Sequence, residues 1–183
     1  LHVHTIHNFL TQYISDHARI VNVLSGLEPI KKVLVTHESE TLKQADDILD
    51  RFQKGSQVDV CYLMDHSGIT IASSNRHQSG SFVGKDYSFR PYFQEAMDGR
   101  GAVYLALGIT SGKRGIYFSH PVYDHDQTIP LGVAVIKGSA ETISSELLHE
   151  TENAHKVQNA VLLIVDPKGV IFFSDRKALL FKT

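Results

Sequence analysis

Apolar residues recur at three- and four-residue steps through the first part of the chain. Val3, Ile6, Leu10, Tyr13, Ile14, His17, Val21, Leu24 and Leu27 make one stripe, and Ile30, Val33, Leu34, His37, Leu42, Ala45, Leu49 and Phe52 make the next. That period predicts helix across residues 1–54. Pro29 either opens a second helix or kinks a single one, and the pattern fits both. Unbroken, the element would reach about 75 Å at 1.5 Å per residue, a length suited to carrying a signal over a distance.

Gly55-Ser56 breaks the period, and alternating, β-branched and aromatic positions take over. Val58 to Met64 reads as a strand, Asp65 to Gly68 as a turn and Ile69 to Ser73 as the returning strand. A polar loop covers residues 74–84. A short helix should start at Pro91 and stop at Asp98-Gly99. Three strands follow, at residues 102–107, 115–123 and 131–137, and Ser139 is placed to cap a helix that turns Ile143, Leu147 and Leu148 to one face. Near the end, residues 161–174 repeat the first hairpin: Tyr62-Leu63-Met64-Asp65-His66-Ser67-Gly68-Ile69 aligns with Leu163-Ile164-Val165-Asp166-Pro167-Lys168-Gly169-Val170. A repeated hairpin after a complete strand–helix–strand set predicts that a second, similar module begins near residue 159. The expected division is therefore helix over 1–54, a first β module over 55–138, a connecting helix over 139–158 and the start of a second module over 159–183.

Composition narrows the function classes. With 183 residues, 42% of them apolar and 21% charged, the chain suits one folded domain and part of another. A net charge of −2 and a pI near 6.6 give no basic field for nucleic acid. The lone Cys61 lies in an apolar run, where a thiol acts as a small core hydrophobe. No apolar run approaches the roughly 20 residues of a membrane span, and Leu1-His2-Val3-His4 has no signal-peptide pattern. Starting within a helical stripe and without methionine, the chain is expected to be a piece of a longer protein.

The densest chemistry is Gly84-Lys85-Asp86-Tyr87-Ser88-Phe89-Arg90-Pro91-Tyr92-Phe93. Pro91 biases Arg90 to an extended conformation at a helix start, and an arginine there can grip a carboxylate in bidentate fashion. Tyr87 could add a hydroxyl and Phe89 an apolar wall. The small-residue turn Gly108-Ile109-Thr110-Ser111-Gly112 offers hydroxyls and close backbone N–H groups. Lys137 is in phase with Leu131, Val133 and Val135, so it shares their strand face and needs a counter-charge there. Arginine and lysine across a cleft would suit a small dianion. The plainer readings stand beside this one: Arg90 paired with a surface acid, Lys137 as an edge-strand charge, the Thr110-Ser111-Gly112 turn as a hairpin only, and Tyr92 and Phe93 as core. His2, His4 and His7 read as an exposed helix start rather than a metal cluster. No GxSxG, phosphate loop, HExxH or EF-hand pattern is present, so neither a catalytic centre, a cofactor nor a metal is expected.

Taken together, Tyr62 to Asp65, Phe82 to Phe93, Leu107 to Gly112, Gly115 to Ser119, Pro121-Val122 and Leu131 to Lys137 resemble the double Cache sensor family. The likeness is greatest to the periplasmic region of the dicarboxylate-transport sensor histidine kinases. It implies an α+β fold, with a long N-terminal helix followed by tandem PAS-like modules, each an antiparallel five-stranded sheet, the second incomplete in this chain. It also implies a ligand contacted by Tyr87, Phe89, Arg90, Thr110, Ser111, Gly112 and Lys137, of the succinate, fumarate or malate type. A periplasmic location, membrane attachment only through helices outside this chain, and a homodimer through the N-terminal helix are implied as well. Related sensor regions also precede diguanylate cyclases and chemoreceptors, which leaves the output domain open. The rival reading from the residues is an interaction module that binds no small molecule.

Overall fold

In the computed structural model the described residues are 2–108, 110, 112–126, 128–152, 163–165, 169–174, 176, 179 and 180. The helical first segment is three helices: α1 (His2–Gly26), α2 (Glu28–Thr36) and α3 (Ser39–Ser56). The single long helix over 1–54 therefore does not form. Pro29 opens α2, with Leu27 extended at its N-cap, so of the two outcomes expected at this proline it is the opening of a second helix that is realised. The further break falls at His37, which adopts the left-handed conformation (φ 54°) and donates its N–H back to Val33 O. A non-glycine residue in that region leaves no sequence signal as plain as a glycine would.

Five strands, β1 (Val60–Asp65), β2 (Thr70–Ser73), β3 (Ala102–Leu107), β4 (Arg114–Tyr123) and β5 (Pro130–Ser139), form one antiparallel sheet in the order β2-β1-β5-β4-β3. Its two faces are packed differently. The first is covered by α1, α2 and α3, and its core is aliphatic with a few rings: Leu24, Ile30, Val33, Leu49, Cys61, Leu63, Phe118, Ala134 and Ile136. The α1 stripe delivers Tyr13 and His17 onto Phe118, with ring centroids 6.1 and 5.2 Å away. Burial pushes the Cys61 thiol up to about 12, so it stays protonated and inert. The second face carries the short helix α4 (Pro91–Met97) and a cluster dominated by aromatic rings.

After β5, Ser139 Oγ accepts the Thr142 N–H at 3.2 Å and caps α5 (Ala140–Glu152) as expected. The second hairpin, β6 (Leu163–Val165) and β7 (Ile171–Ser174), repeats the register of the first. Tyr62 faces Ser73 and Leu163 faces Ser174; Leu63 faces Ala72 and Ile164 faces Phe173; and both ladders slip at their next step. Gly68 and Gly169 close the two turns with nearly the same positive φ, 86° and 84°. Residues 153–162, 166–168 and 181–183, including parts of the connecting helix and second module expected from sequence, lie outside the described residues.

Candidate ligand-binding site

The loop that follows β2 is stitched back along that strand. Thr70 N–H donates to Lys85 O, Gly84 N–H to Thr70 O and Tyr87 N–H to Gly68 O, each at 2.8–2.9 Å. Farther back, Arg76 grips Asp50 of α3 with two 2.7 Å contacts and Asp46 at 3.3 Å, fixing the loop to the helix layer. This stitching carries Tyr87 and Arg90 onto the second face of the sheet. Arg90 is extended (φ −74°, ψ 133°) immediately before α4, as the following proline requires.

A narrow cavity of about 10 Å³, room for roughly one water, lies there. Its walls are Tyr62 from β1, Phe82, Tyr87 and Arg90 from the loop, Tyr92 from α4, Gly108 and Thr110 from the β3–β4 turn, and Tyr117 from β4. The rings hold one another: Tyr92 stacks on Tyr117 at 5.1 Å and 5°, and Phe82 meets Tyr62 edge-on at 5.3 Å. Tyr62 and Tyr92 share a hydroxyl–hydroxyl hydrogen bond of 2.8 Å, and Tyr87 bonds Thr110 Oγ1 at 2.7 Å. Tyr117 is buried, and among the described residues its hydroxyl enters no such pairing. Burial pushes Tyr117 up to about 12 and raises Tyr62, Tyr87 and Tyr92 as well, so all four hydroxyls stay protonated at neutral pH. The positive charge of Arg90 opposes that rise at Tyr87, Tyr92 and Tyr117, which shows that one guanidinium acts on three hydroxyls of the cavity. Chemically the wall combines one cation, several hydroxyl donors and the ring faces between them, a set that could hold a small anion.

No family model matches the chain. It is 35% identical over 156 residues to the C4-dicarboxylate transport sensor protein DctB of Pseudomonas aeruginosa, a match covering 85% of this chain and 24% of that protein. The protein of the same description in Rhizobium meliloti is 28% identical over 161 residues, 88% of this chain and 24% of its own length. Among solved structures, the sensor domain of the V. cholerae histidine kinase DctB superposes with a TM-score of 0.87 at 27% identity. That match covers the whole of this chain and 67% of the other. The chain is a homologue of the DctB sensor proteins. It spans about a quarter of the length of the two DctB relatives, and the part it matches in the solved structure is the sensor domain.

Of the seven contacts expected from sequence, this DctB-like sensor domain brings Tyr87, Arg90 and Thr110 together on the cavity wall. Ser111 lies outside the described residues. Three are placed elsewhere. Phe89 is 54% exposed and lies off the wall, under the Arg90 guanidinium at 5.3 Å, because Ser88 and Phe89 form the tip of a turn that the Arg90 N–H closes onto Tyr87 O at 2.9 Å. Gly112 spends its N–H on Gly108 O, closing the turn, and Gly108 forms the wall instead. Lys137 is on the cavity's side of β5, yet its ammonium donates to Asp59 Oδ2 at 2.8 Å. A buried cation takes the nearest carboxylate. Gly108 belongs to the turn expected to complete the pocket, whereas Tyr62, Phe82, Tyr92 and Tyr117 line the wall without having been expected as contacts. Tyr62 and Tyr117 stand in phase with Val135 and Lys137 across the ladders, and that shared phase was the available signal.

A larger cleft of about 80 Å³ lies on the first face, between α1, α5 and the second hairpin, lined by residues such as Leu10, Ile14, Ile116, Ile143 and Phe172. It has no cation in its wall and so does not compete as an anion site. Among the described residues no three His, Cys, Asp or Glu side chains cluster as metal ligands, and no helix is long and apolar enough to cross a membrane.

Proposed function

We propose that the domain is the periplasmic ligand sensor of a two-component, membrane-bound histidine kinase, and that its cavity takes a small four-carbon dicarboxylate such as succinate, fumarate or malate. The observation that carries this reading is Arg90 set against a cage of protonated tyrosine hydroxyls. Arg90 takes one carboxylate in a bidentate pair. Tyr87, Thr110 and Tyr117 supply hydrogen bonds that fix its orientation. Lys137, next to Tyr117 on the neighbouring strand, is the second cation within reach. The dicarboxylate named in the descriptions of the two DctB relatives agrees with this charge pattern. Membrane attachment runs through helices outside this chain, and two copies pair through the N-terminal helices, whose Val23 and Val35 are 59% exposed.

A thermal-shift series with succinate, fumarate and malate tests the reading. A ligand that binds only the folded state raises the melting temperature with its concentration relative to Kd. Arg90→Ala should abolish that rise while melting close to the parent without ligand, since among the described residues the Arg90 side chain makes one long hydrogen bond, 3.4 Å to Leu107 O, and an exposed stack on Phe89. An unchanged ligand response in Arg90→Ala, or none in the parent chain at millimolar acid, rules out this site for these ligands.

A further inference from the structure

The second positive charge on the cavity's side of the sheet is already neutralised. Lys137 is 2% exposed and its ammonium is 2.8 Å from Asp59 Oδ2. Its stem runs across Gly115 of β4, where a Cβ would stand 2.8 Å from Cε, so a missing side chain clears the lane the lysine lies in. Directly opposite Lys137 on β4 is Tyr117, a cavity wall residue. Such partners have Cβ atoms about 5 Å apart, within the sweep of a four-carbon stem.

The two ends of the ion pair are not equivalent. Asp59 precedes β1, its backbone is pinned by a 2.9 Å bond to Lys137 O, and its carboxylate side chain is 32% exposed. It can turn to water, provided another anion takes its place at the ammonium. Lys137 cannot, and needs an anion at all times. The charge of Asp59 also bears on the Tyr117 hydroxyl, in opposition to Arg90, so the carboxylate acts on the cavity although it is outside the wall.

We propose that Asp59 is a resident counter-ion that the second carboxylate of a dianionic ligand displaces from Lys137, so that the domain selects dianions over monoanions by ion exchange. This rests on the small-dicarboxylate reading of the cavity. A monoanion satisfies Arg90 and leaves the Asp59–Lys137 pair closed. A dianion bound with the pair closed would hold one carboxylate without a cation; releasing Asp59 to solvent gives it Lys137. Asp59 thus sets both the affinity and the specificity of a site it does not line.

Calorimetric titration of the chain with succinate and with butyrate, which has the same carbon count and one carboxylate, tests the exchange. Asp59→Asn should tighten succinate by about tenfold, the scale of one charge-assisted contact freed from its competitor, and leave butyrate within about twofold. Succinate binding that is unchanged or weaker in a folded Asp59→Asn overturns the proposal, because Asp59 then holds Lys137 in place and does not compete. If Asp59→Asn does not fold, the ammonium NMR signal of Lys137 in the parent chain decides. It should move on saturation with succinate and stay with butyrate; a signal indifferent to succinate overturns the proposal. Failure of succinate to bind the parent chain overturns the dicarboxylate reading itself, an outcome seen without any variant.

Discussion

The two faces of the five-stranded sheet are built from alternate residues of the same strands and do different work. On β4, Phe118 turns to the helices and is fully buried against Tyr13 and His17, whereas its neighbour Tyr117 turns to the cavity. On the helix face polar side chains such as Ser25, bonded to Asn22 O and His120, pair within the protein, Asp46 Oδ1 excepted. The cavity face stacks its rings just as closely but keeps hydroxyls and a guanidinium pointing into a shared space. Stability is concentrated on one side and recognition on the other, separated by the thickness of one strand.

The largest expected effect breaks the helix face. Phe118→Ala removes a ring with no exposed surface and should cost about 3–5 kcal/mol in denaturant unfolding. What remains folded should bind a dicarboxylate with nearly the parent affinity; a parallel loss of affinity would mean that the faces are not independent. Tyr117→Phe sharpens the same contrast from the other side. It keeps the stack on Tyr92 and deletes one hydroxyl, so unfolding should be nearly unchanged, while succinate affinity falls by the 0.5–1.5 kcal/mol of about one hydrogen bond. Equal affinity in Tyr117→Phe would remove that hydroxyl from the recognition set.

The smallest effect belongs to the seam between the faces, where Arg76 ties the cavity loop to α3. The Arg76 guanidinium holds the Asp50 carboxyl below the usual carboxylate range. A carboxyl depressed in the fold contributes stability above its unfolded pKa of about 4, and that contribution is lost as pH falls through the lower folded value. Asp50 is partly exposed, so Asp50→Asn should cost under about 1 kcal/mol at neutral pH. In a melting-temperature series it should also flatten the acid arm below about pH 4. Asp46 behaves in the opposite sense. Burial raises its pKa, and its Oδ1 has no hydrogen-bond partner, so its protonation favours the fold as pH falls. Identical acid arms in Asp46→Asn and Asp50→Asn would contradict this division.

Much of the architecture was legible in the sequence because its signals are local. Alternation marked all five strands, Pro91 and Gly99 bounded α4, and the Asp-x-x-Gly hairpin declared its own repetition. Helix breaks written in less obvious residues were not legible: His37 carries a left-handed turn without being glycine. The site divided along the same line. Arg90 was readable because proline constrains it, and Tyr87 and Thr110 because they stand in polar loops. Tyr62 and Tyr117 sit within apolar strands, where alternation marks a position as inward without saying whether the inside is packed or hollow. The partner of Lys137 was invisible for a further reason. Asp59 and Lys137 are 78 positions apart, and only the pairing of β1 with β5 brings them together.

The tyrosine cage also has an optical consequence. The chain contains no tryptophan and seven tyrosines, so its intrinsic ultraviolet emission comes from tyrosine alone. Four of those seven, Tyr62, Tyr87, Tyr92 and Tyr117, line one cavity, and a fifth, Tyr104, has its ring 6.1 Å from Tyr92. The protein thereby carries its own fluorophores at the place where a ligand would sit, and occupancy can be followed by light without attaching a dye.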